Sequence, residues 1–221
     1  MAKRGVTRNK ILEAADKRFG ASGFDAVSTR DVAKEAGVNQ ALVFYHFGNK
    51  EGLFRVVLER YGTRLDEALN EALTAKGASR ERIHHVLDTA IDFVDANPRF
   101  AKLVQRQLVS GGQVEAVRAA LVPLKSWTGT VLGELSPPNV AHLAPEQFFV
   151  SFVSALFGYP AAGPVFLGHR ALSDDGRAAR RGHMHWMVDC VIPRLRSERL
   201  IVRVSLPHEQ GESARSDEYL R

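Results

Sequence analysis

Between Ser28 and Phe54 the chain gathers side chains whose chemistry suits the edges and backbone of duplex DNA. Gln40 opens a short apolar helix, where its carboxamide can pair bidentately with adenine, and Ala41 beside it can meet a thymine methyl. Tyr45, His46 and Lys50 suit phosphate oxygens, helped by the backbone donors of the helix that Lys50 begins. Thr29, Arg30, Asn39 and Phe44 join them as contact candidates, although Arg30 reads equally well as a solvated charge.

Such contacts need a rigid frame, and the same stretch supplies one. Ser28 or Thr29 caps a helix whose first turn holds Asp31, an acid matched to the positive helix end. Val32, Ala33 and Ala36 give that helix a narrow buried stripe, with Ala33 small enough for a close crossing. Gly37 supplies the left-handed residue that ends it, Val38 plugs the turn and Asn39 caps the next helix. There Val43 and Phe47 face inward, leaving Gln40, Ala41, Phe44 and Tyr45 outward, an odd surface for a helix that meets only water. The spacing predicts a helix-turn-helix supported by a third helix from Lys50.

The pattern extends further. It begins at Thr7-Arg8-Asn9-Lys10-Ile11-Leu12-Glu13-Ala14-Ala15 and runs through Phe19, Gly23-Phe24 and Ser28-Thr29-Arg30-Asp31-Val32-Ala33. It closes with Ala36-Gly37-Val38, Phe44-Tyr45-His46-Phe47 and Asn49-Lys50-Glu51-Gly52-Leu53-Phe54. In order, spacing and residue type this first quarter of the chain resembles the TetR family of bacterial transcriptional repressors. Phe44 departs from the family pattern, in which a Tyr hydroxyl reaches a phosphate. Either Tyr45 takes over that contact or one phosphate bond is absent. The resemblance implies a homodimer paired through its last two helices as a four-helix bundle. It also implies a central domain holding a small, often apolar or amphipathic effector, whose binding shifts the connecting helix and spreads the two heads.

Past Lys50 the periodicity predicts helix after helix and no convincing strand. The expected fold class is therefore all-α: an N-terminal three-helix helix-turn-helix domain (1–54), a larger C-terminal helical domain (55–204) that the resemblance makes ligand-binding and dimerising, and a polar, loose tail (205–221). One helix from Lys50 to about Ala75 joins head and body. Others run from Arg80 to about Asn97, from Arg99 to Ser110, and from about Val114 to Leu135 with a kink or break at Pro123. Ser136–Asn139 is a linker, residues 145–159 form a very apolar helix, a Gly- and Pro-rich connection follows, and a last helix spans about Asp175 to Leu195.

Residues 145–159 are apolar around most of the helix, which requires burial on several sides. A second copy satisfies that requirement, with Phe149, Val153, Leu156, Phe157, Met184, Met187, Val188 and Val191 as interface candidates; a monomeric core is the alternative. Phe93, Phe100, Leu103, Val104, Gln107, Trp127 and Phe152 are candidates to surround an effector, with Arg106 and His142 as further polar contacts. For each of these, ordinary core or surface is the competing reading.

Net charge is +5, and it is uneven: residues 1–60 hold eleven Lys/Arg against seven Asp/Glu, the remainder nineteen against eighteen. Lys3, Arg4, Arg8 and Lys10 make a basic arm suited to phosphates or a minor groove, or a solvated terminus. No apolar run is expected to reach the length of a membrane span, no secretory signal opens the chain, and Cys190 is the single cysteine. These point to a reducing cytoplasm, with nucleoid association when DNA is bound, and to no membrane partner. The histidines at 84, 85, 183 and 185 lack ligand spacing, and there is no Cys pair, HExxH, nucleophile elbow or phosphate-cradling loop. No catalytic residue, metal or cofactor is therefore expected. Two other readings stay open: an architectural or cell-cycle DNA-binding factor without an effector, and an enzyme or small-molecule binder with a vestigial head.

Overall fold

The computed structural model describes residues 2–74, 79–135 and 145–191, and these hold ten α-helices, one 3₁₀ turn and no strand. The head consists of α1 (Ala2–Ser22), α2 (Thr29–Ala36), α3 (Gln40–Phe47) and the first turns of α4 (Lys50–Leu73). The body adds α5 (Ser79–Ala96), α6 (Pro98–Ser110), α7 (Val114–Ala120), α8 (Val122–Leu135), α9 (Pro145–Leu167), a 3₁₀ turn (Gly168–Leu172) and α10 (Asp174–Val191). The linker at 136–139, His142, the stretch 192–195 of the last expected helix and the tail from 205 lie outside the described residues.

Local sequence accounts for the head. Ser28 is the cap of α2: its Oγ accepts from the Asp31 amide, and the Asp31 carboxylate accepts from the Ser28 amide at 3.0 Å, a reciprocal box. Donation from the Ser28 hydroxyl at 2.6 Å, then from the Ser28 amide, holds the Asp31 carboxyl below its usual range. Gly37 ends the helix at φ 65, the left-handed region. Ile11, Ala15 and Phe19 of α1 pack with Val32, Val43, Leu53 and Phe54, and Phe19, Phe24 and Phe54 meet as a ring cluster with centroids 5.0–6.0 Å apart.

One buried cluster runs from Ile11 in α1 to Val188 in α10, so the expected boundary after residue 54 falls inside α4 and inside a shared core. Polar ties reinforce the junction. Tyr61 donates to Asp16 at 2.6 Å, Arg99 pairs with Asp16 at 3.1 Å, and Arg106 donates to the Ala21 carbonyl at 3.1 Å. Burial and the Asp16 carboxylate both push the Tyr61 hydroxyl pKa up. Gly62 lets α4 cross α7 closely, since an added Cβ would lie 3.0 Å from the Ala120 backbone.

Three expectations change, and the expected kink or break at Pro123 is met. The basic arm is helical from Ala2 onward, and Arg8 lies 5.3 Å over the Phe47 ring, so it is an extension of α1. The break near Pro123 is complete: Leu121 separates α7 from α8, and Pro123 stands in the first turn of α8, where its missing N–H is no loss. The Gly- and Pro-rich connection after Tyr159 is helical as far as Leu167. Pro160 deprives the Leu156 carbonyl of its intrahelical donor, and buried Arg180 supplies a replacement from Nη2 at 2.8 Å. The lengthened segment Glu146–Ala171 is long and apolar enough to cross a bilayer by length and composition, with 28% of its apolar window buried. That corrects the expectation that no apolar run reaches such a length.

Candidate nucleic-acid interface

On α3, Val43 and Phe47 are buried while Leu42, Phe44 and Tyr45 stand 37%, 46% and 62% exposed. Ala41 and Asn39 are exposed, and the Asn39 side chain accepts from the Ala41 amide at 2.8 Å, fixing the helix start. Gln40 is half-buried; its Nε2 donates to Thr29 Oγ1 at 2.8 Å, with Thr29 itself only 8% exposed. Thr29 therefore orients Gln40 more than it presents a surface of its own. Arg30 is exposed beside them. Tyr45 and His46 rings meet edge-on at 5.1 Å, and His46 also leans on Phe47.

The turn into α4 positions Lys50. Gly48 takes φ 77 and the Asn49 side chain accepts from the Gly52 amide at 2.6 Å. Lys50 is half-buried, its Nζ 3.3 Å from the Asp25 carbonyl and 4.2 Å over the Phe24 ring. Sequence reasoning missed both tethers, Thr29–Gln40 and Asp25–Lys50. Neither has a periodic signature, because each joins two elements that meet only after folding. The structure thus gathers Gln40, Ala41, Phe44, Tyr45, His46 and Lys50 around α3 and the start of α4, an uncovered aromatic and polar face with a helix N-terminus beside it.

In the body the expected effector residues mostly form packed core. Phe100, Leu103, Val104, Trp127 and Phe152 are buried and Phe93 half-buried; Phe93 meets Phe100 edge-on at 6.0 Å, and Trp127 lies 5.7 Å from Phe152. Gln107, itself buried, lines two clefts. One, of about 730 Å³, lies between residues 22–26, α6 and α9; the other, of about 440 Å³, lies between α6, α7 and α9.

The expected interface residues also face inward. Val153, Leu156, Phe157, Met184 and Val188 are buried within the single chain, Phe149 and Met187 are half-buried, and the Val191 side chain lies outside the described residues. The apolar side chains that α9 and α10 leave exposed are Val150, Val165, Phe166, Leu167 and Trp186.

His84 and His185 pack into a charged seam between α5 and α10. His84 and Arg80 share Asp189, His185 and Arg181 share Asp88, and Arg180 pairs with Asp95 at 2.7 Å. The His84 and His185 rings stack at 4.2 Å. Hydrogen bonding from Arg80, then from His84, holds the Asp189 carboxyl below its usual range against partial burial. No group of three or more His, Cys, Asp or Glu among the described residues is arranged to hold a metal.

Head and body together define an all-α helix-turn-helix protein. Residues 11–57 match the model of the bacterial regulatory proteins, tetR family. It is 36% identical over 108 residues to an HTH-type transcriptional repressor of Mycobacterium tuberculosis, spanning 49% of this chain and 57% of that protein. To the HTH-type transcriptional activator FasR of Mycolicibacterium smegmatis it is 27% identical over 114 residues, 51% and 52% of the two chains. The chain thus spans about half the length of these curated relatives. The solved structure of the fatty acid degradation regulator FadR from Bacillus halodurans shares the fold, with TM-score 0.64 and 16% identity over 86% of this chain and 97% of that one.

Proposed function

We propose that this protein is a DNA-binding transcriptional regulator, a cytoplasmic homodimer that occupies a palindromic operator and is released by a small apolar or amphipathic effector in its body. The observation that carries the reading is the uncovered face of α3, where Phe44 and Tyr45 stay exposed beside Gln40 and Lys50. A helix that met only water would not keep those rings outward. In the groove, Gln40 and Ala41 meet base edges while Tyr45, His46 and Lys50 meet phosphates. Pairing of two copies is supported by the exposed Val165, Phe166 and Trp186 on α9 and α10, and it would set two recognition helices about 34 Å apart. Repression is the reading adopted; the similarity to an activator as well as to a repressor makes operator position the deciding observation.

The test is selection of bound fragments from the native genome, followed by salt-dependent binding to the selected site. A palindromic site overlapping a promoter, with affinity falling as salt rises, supports the repressor; a site upstream of the promoter turns the reading to activation. Binding without sequence preference would end it. For the dimer, Phe166→Glu with Trp186→Glu should convert a sedimenting dimer to a folded monomer, and a wild-type monomer would remove the pairing.

A further inference from the structure

The loop of residues 22–26 has two faces with different neighbours. On one side it forms a wall of the 730 Å³ cleft, opposite α6 from Gln105 to Ser110 and α9 from Ser154 to Ala161. On the other it holds Lys50, through the Asp25 carbonyl at 3.3 Å and the Phe24 ring at 4.2 Å. Phe24 and Asp25 belong to both faces. A molecule that displaces this loop therefore moves the attachment of Lys50 directly.

The cleft is largely hydrocarbon. Phe24, Leu108, Val109 and Phe157 line it, and Leu108 and Val109 are left 55% and 91% exposed, apolar surface without cover. Its volume falls within the range of about 300–1,000 Å³ typical of small-molecule sites. Set into this wall is Arg106. Its guanidinium donates to the carbonyls of Ala21 at 3.1 Å and Phe19 at 3.5 Å in the last turn of α1, and no carboxylate pairs with it among the described residues. Gly23, at φ 86, fits tightly beneath it, since an added Cβ would lie 3.3 Å from Arg106 Nη1. A flat carboxylate binds a guanidinium more strongly than neutral carbonyls do. Such an anion competes with α1 for the same group.

We propose that this cleft binds an amphipathic monocarboxylate, its apolar body on Phe24, Leu108 and Phe157 and its carboxylate on Arg106, and that binding draws Arg106 from α1 and displaces the loop that holds Lys50. The inference rests on the effector-responsive reading above and gives it a site at the junction of head and body. Regulation follows by linkage: the anion binds more tightly to the state in which α1 has released Arg106.

Calorimetric titration of the full chain with dodecanoate, below its micellar concentration, and with dodecanol tests the site without DNA. Dodecanoate should bind about tenfold or more tightly than the alcohol. Arg106→Gln should remove that preference and leave the alcohol unchanged. Gly158→Leu, at a position where nothing lies within 4 Å of an added Cβ, should fill the cleft and abolish both. Circular dichroism melts show whether each variant is folded, and Gly158→Leu decides if Arg106→Gln is not. Equal affinity for acid and alcohol, or acid binding that survives both substitutions, overturns the proposal. So does a changed oligomeric state in Gly158→Leu with acid binding intact, which would give the cleft to a second copy. Release of the genome-selected operator by dodecanoate, in wild type and not in Arg106→Gln, tests the coupling; binding of acid without release overturns it. Failure to bind any specific DNA would end the regulator reading while calorimetry still decides the cleft.

Discussion

Gln40 reaches its outward position through Thr29, whose hydroxyl holds one amide hydrogen and leaves the carboxamide oxygen and the second hydrogen free. Gln40→Ala is expected to relax preference at one base pair, costing roughly 1–3 kcal/mol on the selected operator. An equal loss on random DNA would take Gln40 off the base edge. Thr29→Val keeps the amide and loses only its tether, so its effect should fall at the same base pair and be smaller. Lys50→Ala should weaken every sequence alike and reduce the salt slope by about one; an unchanged slope removes Lys50 from the phosphates. The exposure of this face was legible because Val43 and Phe47, four residues apart, turn inward and leave Phe44 and Tyr45 outward. The tethers were not, since residues 11 and 25 positions apart are brought together by helix packing alone.

Among the elements, α9 shows where local sequence misleads. Pro160, Gly163 and Pro164 read as a connection, and they would be one if nothing replaced the donor that Pro160 removes. The replacement comes from Arg180, twenty-four residues away, and no pattern in the chain announces it. Arg180→Met should orphan the Leu156 carbonyl and strip Asp95 of its partner, costing about 1–3 kcal/mol for the carbonyl alone. Pro160→Ala should recover much of that loss, because the helix then supplies its own N–H; the double-mutant cycle in urea measures the coupling. The α5–α10 seam gives a pH dependence. Asp189 has its carboxyl depressed in the folded state, so its stabilisation is present above the unfolded carboxylate range and is lost as pH falls through the folded value. Melts below about pH 4 should therefore show wild type losing stability that Asp189→Asn, already without it, cannot lose.

For the whole molecule, the all-α class and order of helices were written in the 3.6-residue periodicity, while which apolar side chains face a partner was not. Leu156, Phe157 and Met184 are as apolar as Val165, Phe166 and Trp186, and only packing sends the first group inward. The body core and its clefts likewise divide by geometry: Phe100 and Leu103 fill space that Leu108 and Val109 leave open. The feature that governs all of this is α4, 24 residues and about 36 Å long, with Leu53 and Phe54 in the head and Leu65 and Leu69 in the body. No frayed segment interrupts it, and the core continues along its side. The head therefore has no separate melting transition available, and its amides should exchange with solvent at the rate of the whole fold. Control by melting the reader is closed to such a molecule; its head changes by shifts of folded pieces against one another, the 22–26 loop against Lys50 among them.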